Sequence, residues 1–167
     1  MSLAGQRVDA RRYQVLPRAL VFAFRDGRIL LQRVPTNQGA WSGLWNGVGG
    51  HVEQGESSAD AARREFFEET GLTLSAVRLA GTIIVDVGSS PGIGISVFTA
   101  NAPEGREVPG DEGELQWFSL EETASLPTVE DLPTLLPRIA RSLEGAPPFS
   151  AVYNYDATGK LIIRMDG

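Results

Sequence analysis

The stretch GVGGHVEQGESSADAARREFFEETGL, Gly47–Leu72, crowds acidic side chains between glycine-rich boundaries. Glu65, Glu68 and Glu69 fall within five residues of one another. The pattern predicts a helix over 58–70. Ser57 or Ser58 can cap its start, and Gly71 stands where a left-handed C-terminal cap belongs. Residues three and four apart share a helical face, so the three glutamates project together. Ala59, Ala62 and Phe66 gather on a different arc, with Phe67 at its border. Arg64 precedes Glu68 by one turn and can pair with it.

A charged helical face usually meets only water, and here that reading fits poorly. Like charges at i,i+4 destabilise a helix by about 0.2–0.5 kcal/mol. Two carboxylates about 4 Å apart repel by about 4 kcal/mol at an effective dielectric near ~20. A cation removes that repulsion. Oxygen ligands without thiolate or imidazole suit a hard ion such as Mg²⁺ or Mn²⁺, and Mg²⁺ favours substrates that bring phosphate oxygens. The cluster therefore reads as half of a metal site whose other half is a phosphorylated ligand.

The rest of the chain supplies the frame. Its 167 residues suit one domain, 1–167, with 1–14 as a loose lead-in carrying Arg7, Arg11 and Arg12. A net charge of −6 argues against a nucleic-acid polymer as partner, which would call for a basic face. The chain has no cysteine, so thiolate metal sites and cysteine nucleophiles are excluded. No stretch reads as a leader or a membrane span, which makes the cytoplasm the expected location and leaves no membrane partner. The pattern specifies no oligomeric state.

Apolar runs at 19–24 and 29–33 flank Asp26-Gly27, a hairpin signal. Residues 35–50 form a glycine-rich loop too long for a plain turn. Strands are expected at 77–87 and 93–102, antiparallel neighbours joined through GSSPG, and at 114–120. A second helix is expected at about 131–143, its start confined by Pro133 and Pro137, and a final hairpin at 150–165. The sum is an α/β fold, a largely antiparallel sheet with a helix on each side.

The spacing runs Gly50, five residues, Glu56, seven residues, Arg64-Glu65-Phe66, one residue, Glu68-Glu69, one residue, Gly71-Leu72. It resembles the Nudix box and departs from it nowhere. The resemblance implies the Nudix fold, an α/β/α sandwich with a central mixed sheet. It also implies a Mg²⁺-dependent hydrolase, Mn²⁺ substituting, in which water attacks a phosphorus of a nucleoside diphosphate linked to another moiety. On that resemblance Glu65, Glu68 and Glu69 bind the metal, joined by a carbonyl of Gly49 or Gly50. Arg64 orients the glutamates, and Glu56 assists from behind. One of the glutamates, or Glu112, accepts the proton of the attacking water. Glu112 lies five residues before Trp117, where many members carry a further metal-binding acid; Asp111 and Glu114 are the nearby rivals for that place.

Outside the box, LWNGVGGHVEQGES (44–57) resembles the MutT-homologue branch, which acts on oxidised purine nucleoside triphosphates. Asn46 matches the asparagine that reads the base there, or is a turn residue before Gly47. Glu130 and Asp131 match an acidic pair facing the base, or Asp131 caps the second helix. The branch's tryptophan near that pair is absent. Arg33 contacts phosphate or is a plain sheet-edge arginine. Trp41 and Trp45 stack on a base or pin the loop, Trp45 reading as structural; His51 reads as solvent-facing. The expected reaction takes a nucleoside triphosphate, oxidised purines among the candidates, to the monophosphate and pyrophosphate. The alternatives are a pyrophosphatase for ADP-ribose or a dinucleoside polyphosphate, and a nucleotide sensor without turnover. The undamaged box disfavours the sensor, and the absence of cysteine disfavours an isopentenyl diphosphate isomerase.

Overall fold

The computed structural model describes residues 9, 11–36, 39–108 and 113–166. Strands β1 (Val15–Arg25) and β2 (Arg28–Arg33) form the expected hairpin. Arg25 faces Arg28 across a two-residue turn, with φ of 51° at Asp26 and 73° at Gly27. Positive φ at both central residues matches the twist of the flanking strands. The first strand starts earlier than its apolar run because Val15–Arg18 pair with a distant strand, and that pairing does not depend on hydrophobicity.

The glycine-rich loop contains two short strands, β3 (Trp45–Asn46) and β4 (Val48–His51). Then come helix α1 (Ser58–Thr70), β5 (Arg78–Val85), β6 (Gly92–Asn101) and β7 (Glu114–Ser119). Helices α2 (Leu120–Thr123) and α3 (Leu132–Leu143) follow, and β8 (Phe149–Tyr155) and β9 (Leu161–Asp166) close the chain. The strand order is β3-β2-β1-β6-β5-β8-β9, with β4 added to β1 and β7 to β2. The sheet is mixed: β1 with β6 and β5 with β8 run parallel, and the other pairs run antiparallel. The sheet is thus largely antiparallel, as expected, and the two parallel pairs are the part that local turns, which show only neighbours joined by hairpins, do not reveal.

Alternation along β1 builds the sandwich. Ala19, Val21 and Ala23 pack with Ala61, Ala62 and Phe66 of α1. Phe22 and Phe24 pack with Leu132, Leu135, Leu136 and Ile139 of α3 on the opposite face. α1 begins with the Ser57 side chain accepting from the Asp60 N–H and ends with Gly71 at φ 70°. Its buried arc differs from the helical-wheel reading. Ala61 is buried, Ala59 is only partly covered, Phe67 is 53% exposed, and Glu69 falls on the buried side at 7% exposure. α2 was not expected; a capping box between Ser119 and Glu122 holds a helix too short to show periodicity.

Candidate functional site

Arg64 ties the loop before α1 to the helix. Its Nε and Nη2 donate to the two Glu56 oxygens at 2.7 and 2.9 Å, and Nη2 also donates to the His51 carbonyl at 2.9 Å. Its Nη1 donates to Glu65 at 2.9 Å and to Glu68 at 3.0 Å. The pair with Glu68 is thus one corner of a network. Arg64 is held more firmly protonated than usual, chiefly by the Glu56 hydrogen bond. The Arg64 hydrogen bond, with the Glu53 N–H behind it, lowers the Glu56 carboxyl to about 2. A carboxyl depressed in the folded state stabilises the fold above its unfolded pKa. That contribution is lost as pH falls from about 4 toward 2.

Glu69 points inward and accepts from Gln32 Nε2 on β2 at 2.6 Å. Glu65 lies against Gly50, where an added Cβ would sit 2.4 Å from its carboxyl carbon. This is close approach that only glycine permits. Among the described residues, no three acidic or imidazole side chains already converge as a ready-made metal shell. The acids are instead held by Arg64 and Gln32, which relieve their mutual repulsion. The donor chemistry fits a hard divalent ion: carboxylates and glycine carbonyls, with no thiolate nearby. Glu65 Oε2 and Glu68 Oε1 stand outside the bonds to Arg64.

On the α3 side of the sheet lies a cavity of about 330 Å³. Leu20, Val85, Ile93 and Ile95 supply an apolar floor. Asn46, Gly47, Gly49, Gly50 and Gln32 form one wall, and Glu130, Asp131, Tyr153 and Tyr155 another. β3 fixes this arrangement: Trp45 N–H donates to the Pro127 carbonyl, and Val129 N–H to the Trp45 carbonyl. The acidic pair is thereby drawn beside Asn46. The cavity and the carboxylate patch share a boundary, since Gly50 and Gln32 line the one and touch Glu65 and Glu69 of the other.

Asp131 sits at the start of α3 and makes no side-chain cap bond, so the capping alternative does not hold. It is half-buried, and burial raises its pKa, opposed by its own backbone and by Tyr153. The Tyr153 phenol is itself pushed up by burial and by the Asp131 charge. Its hydroxyl makes no well-formed hydrogen bond among the described residues. Asp131→Asn should therefore raise the melting temperature at neutral pH. A raised carboxyl costs stability once it ionises, so the gain should vanish as pH falls through its pKa. Thermal melts of both proteins from acid to neutral pH check the sign.

Asn46 belongs to β3 and its side-chain oxygen accepts from the Gly47 N–H at 2.8 Å. Neither residue adopts a left-handed turn conformation. Glu130 accepts from the Leu161 N–H at 3.3 Å, tying the closing hairpin to the cavity. Arg33 lies outside the cavity lining; it donates to the Gly43 carbonyl at 3.1 Å and lies 3.6 Å from Glu114. Trp45 is buried edge-on against Phe118, whereas Trp41 is 47% exposed and lines the cavity. His51 is exposed and enters the network only through its carbonyl. Glu112, Asp111 and Arg7 lie outside the described residues. Gln32, Arg18 and Tyr153 were missed. The signal for Gln32 is an uncharged polar side chain directly after the apolar run Ile29–Leu31 in RILLQR.

The NUDIX domain family matches residues 15–139. An oxidized purine nucleoside triphosphate hydrolase of Danio rerio is 38% identical over 103 residues, 61% of this chain and 65% of that protein. Its counterpart in Mus musculus is 36% identical over 104 residues, 62% of this chain and 65% of that protein. The chain thus spans just under two thirds of these curated relatives. A MutT protein from Bacillus halodurans superposes with a TM-score of 0.75 at 23% identity, covering 91% of this chain and 98% of that one.

Proposed function

The chain belongs to the Nudix family, and we propose that it hydrolyses a purine nucleoside triphosphate to the monophosphate and pyrophosphate with Mg²⁺ as cofactor. The observation that carries this reading is the shared boundary at Gln32 and Gly50 between an acid-lined cavity and a carboxylate patch. A base seated in the cavity would deliver its phosphates to the glutamates. The named activity of the fish and mouse relatives supports the same substrate class.

In this proposal Glu65, Glu68 and Glu69, with the Gly49 or Gly50 carbonyl, would hold the ion. Bound there, Mg²⁺ neutralises phosphate charge and lowers the pKa of an attacking water. The chain's own residues do the rest. Arg64 fixes the directions of Glu65 and Glu68, and Gln32 that of Glu69. One carboxylate of this group, or Glu112, takes the proton from water. Asn46, Glu130 and Asp131 seat the base; the amide offers a donor and the carboxylates offer acceptors. The chain would act as one domain on a small nucleotide, in a cytoplasmic setting, with no nucleic-acid polymer or membrane as partner. Among the described residues, no helix is long and apolar enough to cross a membrane.

The test is pyrophosphate release over a panel of oxidised and ordinary purine nucleoside triphosphates, ADP-ribose and a dinucleoside polyphosphate, with and without Mg²⁺. The expected result is Mg²⁺-dependent pyrophosphate from a purine triphosphate. Turnover of ADP-ribose or the dinucleotide alone, or nucleotide binding without turnover, would overturn the proposal.

A further inference from the structure

Arg18 is the only cation among the described residues that line the cavity. Its Nε is buried with no hydrogen-bond partner. Arginine carries five N–H donors in a rigid fork and no acceptor, and this Nε meets no acceptor within the cavity. Glu130 and Asp131 line the same cavity and bring carboxylate acceptors to it.

Strand geometry decides what the fork can meet. Ala19 and Val21 pack toward α1, while Leu20 packs against the α3-side core. Arg18 shares the face of Leu20, since alternate residues share a face. In register, Ala19 opposes Gly50 and Arg18 opposes His51. Gly50 meets Glu65 on the α1 side. Arg18 thus lies across the sheet from the carboxylate patch that would draw the phosphates, and on the same side as the cavity that would hold the base.

We infer that Arg18 is a base-reading residue: its guanidinium donates to the acceptor edge of a 6-oxopurine, O6 and a neighbouring acceptor. Glu130 and Asp131 take the donor edge of the same ring, N1–H and the 2-amino group. Guanine-type bases carry both edges, and adenine presents a donor where O6 would be. The inference rests on the proposed seating of a purine nucleotide in the cavity and extends it to the choice of base.

The experiment compares the wild-type chain, Arg18→Met and Arg18→Lys. It measures kcat/KM for guanine and adenine nucleoside triphosphates and, without metal, Kd for GMP and AMP. Arg18→Met should weaken both guanine parameters roughly 10- to 100-fold, the usual worth of a bidentate contact, and the adenine ones less than about threefold. Arg18→Lys should not restore guanine preference, because an ammonium is a point charge without the planar fork. Equal losses for the two bases, no loss, or full rescue by lysine would overturn the inference, as would failure of the wild type to bind either monophosphate. If the wild type turns over no triphosphate but Arg18→Met still weakens GMP selectively, the turnover proposal fails and the inference stands. Should Arg18→Met melt early, Arg18→Lys decides: a guanine-selective loss supports the inference and its absence overturns it.

Discussion

Glu65→Gln is expected to lower kcat by roughly 10²- to 10⁴-fold, the range for loss of an acid–base or charge-stabilising group. The melting temperature should move by no more than about 2 °C, because the substitution is isosteric and the site is half-buried. Arg64 retains Glu56, Glu68 and the His51 carbonyl when Glu65 loses its charge, so the loop stays tied to α1. The amide can no longer neutralise a cation, and the loss should appear in kcat more than in KM. Glu69→Gln should act in the same direction. Its carboxylate is buried and held by Gln32, and the replacement sets one amide against another. Steady-state kinetics with a melt of each variant checks both; wild-type kcat in the two together would count against the assignment.

Gly50→Ala should give the second large effect without touching a carboxylate. The new Cβ would stand 2.4–2.5 Å from the Glu65 carboxyl atoms, so that group must swing away. A displacement of about 1 Å at a reacting group can cost about 10²-fold in rate. The fold should survive, because what moves is the far end of a flexible side chain. Gly49→Ala makes the contrast. There the Cβ would meet the Ala19 carbonyl at 2.1 Å, which is backbone inside the β1–β4 pairing. That variant should lose stability first. Paired kcat and melting measurements separate the two lesions, and a Gly50→Ala enzyme with full activity would remove Glu65 from the reaction.

Much of this was legible because the determining signals are local. Ser57, Gly71 and the 3.6-residue period define α1, and Asp26-Gly27 defines the first hairpin. Parallel pairing of β1 with β6 was not legible, since it joins residues some 77 positions apart, as Val15 and Gly92 do, with no turn between them. The inward turn of Glu69 was hidden for a related reason: a helical wheel shows which residues share a face, but the sheet beneath decides which face is buried. The spacing of the glutamates identified Arg64 and its acids, yet not Gln32, which reaches Glu69 from another element. Asp131 looked equally like a helix cap, and only the absence of a cap bond and its place in the cavity wall distinguish the two.

The most direct test is a titration of Mn²⁺ onto the full chain with a non-hydrolysable purine nucleoside triphosphate analogue, followed by electron paramagnetic resonance. Saturable binding that Glu65→Gln and Glu69→Gln each weaken by at least about tenfold is the predicted result. Binding of equal strength in all three proteins, or none in the wild type, would contradict a divalent ion held by the acids of α1.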